Sequence, residues 1–168
     1  MSTSSNDTGV PPQVLAAKVL TVSDGVVHGT RDDVSGRALV AQLGAAGFDV
    51  VDHRVTADGT DEVANTLVEM CEGFAGLIVS TGGTGFAPRD QTPEGTRLAI
   101  DREAPGLAEA MRLVSPLGRL SRGIAGIRGQ VVICNTPGSP KGCVEQLGAV
   151  IDILPHAIRL LADAPTNH

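Results

Sequence analysis

Tryptophan and tyrosine are absent from the 168 residues, and phenylalanine occurs only three times. The chain therefore offers no aromatic platform on which unpaired bases would stack. Positive charge is scarce as well. Thirteen Lys and Arg stand against nineteen Asp and Glu, the net charge is −6, and the pI is about 5.1. An acidic surface repels a phosphate backbone, so nucleic acid is not the expected partner. No stretch reaches the roughly 18–20 apolar residues of a membrane span. Cysteine is sparse: Cys71, Cys134 and Cys143 fit neither a zinc-ligand spacing nor a CxxC pair. They read as buried free thiols in a reducing compartment. Residues 1–14 lack the basic start and apolar stretch of a signal peptide. We read them as a disordered leader and expect a cytoplasmic protein.

What is present suits one α/β domain over residues 15–164. Apolar residues make up 42% of the chain, and glycine, at 21 residues, falls largely between apolar runs. Residues 16–22 (AAKVLTV), 48–55 and 76–80 (GLIVS) read as strands. Helical spacing over 32–46 ends at Gly47. A second helix is expected from a Thr60 or Asp61 cap to about Cys71, with Val63, Leu67 and Met70 on one face. Thr92 caps a third that has Pro93 in its first turn, and Pro105 opens a fourth. Residues 120–127 and 130–134 read as a hairpin turning at Arg128-Gly129. Ser139-Pro140 starts a last helix reaching about Leu161, which Pro155 should kink or split. Alternating strands and helices predict a three-layer αβα fold, with a mainly parallel sheet and an antiparallel edge hairpin.

In such sheets ligands bind beyond the carboxyl ends of the strands. Ser23-Asp24-Gly25, Ala57-Asp58-Gly59, Thr81-Gly82-Gly83-Thr84-Gly85 and the segment Asn135 to Ser139 each follow a predicted strand. All four are therefore expected at one rim. The glycines of TGGTG allow close backbone approach and can turn amides toward a phosphate. The segment is neither a Walker A motif nor GxGxxG, and a plain strand-to-helix turn accounts for it equally. Arg89 can pair with phosphate through its fork of donors. Asp90 beside an anion costs energy unless a cation lies between them or it accepts a hydrogen bond from the ligand, and bound Mg²⁺ would supply the cation. An exposed Arg-Asp pair, or Asp90 at the helix N-terminus, is the plain alternative. Asp24, Asp33 and Asp58 have turn or helix-start readings of their own. Lys141 either reaches a phosphate or is solvated. The histidines form no ligand-spaced pair, and neither GxSxG nor a Cys–His nucleophile is present.

The continuous run Thr81-Gly82-Gly83-Thr84-Gly85-Phe86-Ala87-Pro88-Arg89-Asp90-Gln91-Thr92-Pro93-Glu94 closely resembles the signature of the Mog/MoaB group of molybdenum-cofactor biosynthesis proteins. That domain also occurs in gephyrin. Thr21 to Gly25, Asp33-Val34-Ser35-Gly36, Gly123 to Gly129 and Asn135 to Lys141 match as well. The resemblance spans about Ala17 to Leu161. It implies a molybdopterin-binding-domain-like fold and a molybdopterin adenylyltransferase, a Mg²⁺-dependent transfer of AMP from ATP to the molybdopterin phosphate with release of pyrophosphate. It implies Asp58 and Asp90 as the catalytic and metal-holding carboxylates. Gly82, Gly83, Thr84 and Gly85, with Thr81 and Arg89, would take phosphate. Ser23, Asp24, Pro137, Gly138 and Ser139 would line the nucleotide and pterin pocket. A homotrimer and a downstream metal-insertion protein are the implied partners. The alternatives are a non-catalytic molybdopterin-binding or assembly protein of the MoaB type, and an unrelated nucleotide hydrolase on the same fold.

Overall fold

A computed structural model describes residues 14–162. The expected leader falls outside these residues apart from Val14. The chain runs β1 (Ala16–Val22), α1 (Asp24–Val27), α2 (Val34–Ala45), β2 (Asp49–Thr56), α3 (Thr60–Cys71), β3 (Gly76–Thr81), α4 (Thr92–Ala99), β4 (Arg102–Glu103), α5 (Pro105–Arg112), β5 (Ala125–Arg128), β6 (Val131–Thr136), α6 (Pro140–Gly148) and α7 (Leu154–Leu161). One sheet has the strand order β2-β1-β3-β6-β5-β4. β2, β1, β3 and β6 are parallel. β5 and β4 add an antiparallel edge.

β1, β3 and β6 are continuous apolar runs because helices cover both of their faces. Val19, Leu77, Val79, Val132 and Cys134 pack against Leu39 and Leu43 of α2, Met111 of α5, Leu147 of α6 and Leu154 of α7. Their neighbours Leu20, Val22, Ile78 and Ile133 pack on the opposite face against Val63, Leu67 and Met70 of α3 and Ala99 of α4. The alternation follows from the strand period of two. β1 lies between β2 and β3, so the chain leaves the sheet centre in opposite directions after β1, toward β2, and after β3, toward β6. That divergence opens a crevice at the carboxyl ends of β1 and β3.

Local expectations changed in four places. Thr92 is not the cap of α4; Gln91 holds that position, and the Thr92 hydroxyl instead donates to the Gly82 carbonyl at 2.9 Å. α3 is preceded by Gly59 with no side-chain cap, so neither Thr60 nor Asp61 serves there. The strand expected over 120–127 shrinks to β5, and a 3₁₀ turn over Pro116–Leu120 precedes it. Gly118 is pressed against the Arg112 carbonyl, where an added Cβ would overlap, and Pro116 removes a ladder donor. As expected, the last helix divides into α6 and α7, with Pro155 in the first turn of the second, where a missing N–H costs nothing. The two-residue β4 and four-residue α1 are too short to leave a periodic signal.

Candidate active site

The crevice deepens into a cavity of about 750 Å³, within the range of small-molecule sites. Ser23, Asp58, Thr81, Gly82, Gly83, Thr84, Gly85, Asp90, Pro137, Gly138 and Ser139 all line it. Asp24 and Arg89 are not among its lining residues.

The glycine segment is shaped by its neighbours. β3 ends at Thr81, whose hydroxyl donates to the Pro137 carbonyl at 2.8 Å. Gly82 and Gly83 then take φ of +99° and +69°, which L side chains rarely adopt. The Gly82 amide donates back to Thr136 at 3.1 Å, and the Thr92 amide donates to the Gly83 carbonyl at 3.0 Å. A Cβ at Gly83 would overlap Thr92 Oγ1 and lie 3.3 Å from Asp58 Oδ1. One at Gly85 would lie 2.8 Å from Asp90 Oδ2. Both carboxylates therefore lie against the backbone of the loop. The amides of Gly83, Thr84 and Gly85 donate to no acceptor among the described residues. Three successive free N–H groups at a cavity wall are the kind of donor set from which anion-binding concavities are built.

Asp58 sits in the turn between β2 and α3. Its backbone N–H donates to Asp24 Oδ1 at 3.2 Å, and Asp24 returns a backbone N–H to Asp58 Oδ2 at 3.0 Å. Burial pushes the Asp58 carboxyl pKa above its ordinary value, opposed by the Asp24 amide and reinforced by the charges of Asp24 and Asp90. The Arg89 fork is committed to Asp24, with Nε 2.6 Å from Oδ2 and Nη2 3.1 Å from Oδ1. Nη2 also donates to the Asp58 carbonyl at 3.0 Å. This guanidinium holds the Asp24 carboxyl below its usual range.

Five carboxylates line the cavity (Asp32, Asp33, Asp58, Asp90 and Glu145) against two cations, Arg31 and Lys141. Lys141 is well exposed, and its nearest carboxylate, Glu145, is 3.8 Å away. A polyphosphate entering this lining meets net repulsion unless a cation accompanies it. No three His, Cys, Asp or Glu side chains among the described residues converge as a ready metal cage. Mg²⁺ is commonly held by one or two carboxylates with phosphates and water completing its shell. Asp58 and Asp90 fit that role.

Three supports were not among the expected site residues. Arg122 donates from Nε to the Gly85 carbonyl at 2.8 Å and from Nη2 to the Asp90 carbonyl at 2.6 Å. Its Nη1 pairs with Glu94 at 2.5 Å, which holds the Glu94 carboxyl down. Ser35, at the start of α2, donates to the Gly138 carbonyl at 2.5 Å. Asp33 caps α2 through the Gly36 amide at 2.9 Å and takes the Thr21 hydroxyl and His53 Nε2, the latter at 2.9 Å. The capping pattern was visible at Asp33, but Arg122 lay in a segment read as strand, and long-range pairing leaves no local signal.

Residues 18–156 match the family described as a probable molybdopterin binding domain. The chain belongs to this family. It is 36% identical over 156 residues to a molybdopterin adenylyltransferase of Helicobacter pylori, covering 89% of each chain. It is 37% identical to gephyrin of Dictyostelium discoideum over 89% of its own length, but spans only 23% of that larger protein. Among solved structures it is similar to the molybdopterin biosynthesis enzyme MoaB of Thermus thermophilus. There the identity is 44%, the TM-score is 0.83, and the match covers 92% of this chain and all of that one. Among the described residues no helix is long and apolar enough to cross a membrane.

Proposed function

We propose that this chain is a molybdopterin adenylyltransferase, acting with Mg²⁺ to join AMP from ATP to the terminal phosphate of molybdopterin. The observation that carries this reading is a cavity in which three free amides of the glycine loop lie beside the carboxylates of Asp58 and Asp90. A phosphate oxygen of molybdopterin attacks the α-phosphorus of ATP, and the bond to the β-phosphate breaks to release pyrophosphate. The nucleophile belongs to the substrate, so no activated side chain is needed. The cysteines agree with this: Cys134 is fully buried and its thiol is pushed up to about 12, far from a thiolate at neutral pH.

The protein's work in such a reaction is positioning and charge stabilisation. The amides of Gly83, Thr84 and Gly85 hold phosphate oxygens. Asp58 and Asp90 would hold Mg²⁺, which when bound neutralises phosphate charge as it shifts to the leaving pyrophosphate. Ser23, Pro137, Gly138 and Ser139 form walls for nucleotide and pterin, with Pro137 tied down by Thr81 and Gly138 by Ser35. The same reading carries a homotrimer, a cytoplasmic location and transfer of the product to a metal-insertion protein. Leu113 and Leu117, 84% and 75% exposed, form apolar surface that assembly would cover; sedimentation measures the subunit count.

The deciding experiment mixes purified protein, ATP, MgCl₂ and molybdopterin. Equal amounts of pyrophosphate and adenylylated pterin are expected. Pyrophosphate or phosphate released without pterin would establish the hydrolase reading. Pterin binding without any nucleotide product would establish the binding or assembly protein.

A further inference from the structure

Arg89 lies beside the site but outside its lining, and all its ordered contacts run to two residues of neighbouring loops. The turn bearing Asp58 has few tethers of its own: Gly59 follows at φ +136°, and α3 begins without a side-chain cap. Gln91 Oε1 accepts from the Thr60 amide and hydroxyl just beyond it, but Asp58 itself is fixed by the reciprocal pair of bonds with Asp24. Arg89 grips both members, taking the Asp24 carboxylate with two nitrogens and the Asp58 carbonyl with one of them. The planar fork makes this geometry specific in a way a point charge would not. We propose that Arg89 is a positioning residue, acting through Asp24 to hold the Asp58 carboxylate in the cavity, and does not itself ligate phosphate. The proposal rests on the reading of Asp58 as a metal-holding carboxylate.

The physical need is plain from the charges. The charges of Asp24 and Asp90 both act on the Asp58 carboxylate, and Arg89 is the cation that opposes them there. Without it, repulsion favours withdrawal of the Asp58 turn from the loop. Arg89 is the residue before Asp90, so one short segment brings a carboxylate to the cavity and a clamp to its partner's turn.

A double-mutant cycle of Arg89→Ala and Asp24→Ala tests this, with Arg89→Lys as the conservative variant and melting curves confirming the fold. Mn²⁺ affinity is read by electron paramagnetic resonance in the presence of a non-hydrolysable ATP analogue. Analogue affinity is also measured by calorimetry in EDTA. Each single substitution is expected to weaken Mn²⁺ binding about 10- to 100-fold, the usual size for a lost supporting partner. The double variant should be no weaker than the weaker single, because one chain of contacts is broken either way. Arg89→Lys should recover part of the loss, and metal-free analogue affinity should stay within about twofold of wild type. A several-fold loss of metal-free affinity in Arg89→Ala, or additive losses in the double variant, would make Arg89 a phosphate ligand and overturn the proposal. In transfer assays the singles should lower kcat and leave KM for ATP nearly unchanged. A wild-type protein that transfers no AMP refutes the proposed activity, while the metal-binding cycle still decides the role of Arg89.

Discussion

Replacing Gly83 by alanine probes the link between backbone shape and ligand binding most directly. Alanine at φ +69° carries the left-handed penalty of roughly 1–2 kcal/mol. Its Cβ would also overlap Thr92 Oγ1. That hydroxyl cannot simply swing away, because Thr92 is fully buried and bonds the Gly82 carbonyl. Displacing it leaves a buried polar group unpaired, which costs about 1–3 kcal/mol. The sum is about 2–5 kcal/mol, or roughly 5–15 °C in Tm for a chain of this size. Thermal unfolding followed by circular dichroism measures this, and calorimetry below the melting range measures MgATP affinity. Affinity should fall as well, since the free amides of Gly83 to Gly85 are displaced together. Thr92→Ala makes room for the new methyl group, so the double variant should lose less than the sum of the singles by at least about 0.5 kcal/mol. A melting temperature unchanged in Gly83→Ala, or strict additivity in the double variant, would refute the steric account. Unchanged MgATP affinity would remove the loop from the nucleotide site.

Asp90→Asn should abolish AMP transfer, measured as pyrophosphate release, while costing only the loop contact from the Ala87 amide, about 0.5–1.5 kcal/mol. Normal turnover would remove Asp90 from the reaction. Asp58→Asn tests the raised pKa of that carboxyl. A group whose folded pKa is raised favours folding when protonated, and that advantage is lost as pH rises through the folded value. The asparagine variant should therefore match wild type in Tm below about pH 4 and exceed it at pH 7–8, while losing transfer activity. A gap that is constant or reversed across that range would contradict the assignment. Arg122→Ala should cost about 1–3 kcal/mol, because it strips the Gly85 and Asp90 carbonyls and Glu94 of their donor. It should lower kcat more than it raises KM for ATP, and a pure stability loss with normal kcat would show that the loop needs no such brace.

How legible the protein was follows from the range of each interaction. β1 and β3 declared themselves because burial on two faces demands unbroken apolar runs, and Ser23, Asp58, Gly83 and Gly138 reached one cavity because parallel strands deliver their following loops to the same rim. Segments whose shape depends on distant partners were misread. Residues 120–124 look like strand in isolation, yet Gly118 packs on the Arg112 carbonyl and Arg122 is drawn across to Glu94, so the chain takes a 3₁₀ turn before pairing. Thr92 has the composition of a helix cap, but a second use for its hydroxyl, at Gly82, displaces that role. Arg89 shows the same limit at the level of function. Its place beside a glycine loop suggests a phosphate ligand, and only the pairing of its fork with Asp24, 65 residues away in sequence, shifts the reading. Residue type and order specify which chemical groups reach the rim. Which of them face the ligand, and which hold the others in place, depends on contacts between loops that folding alone brings together.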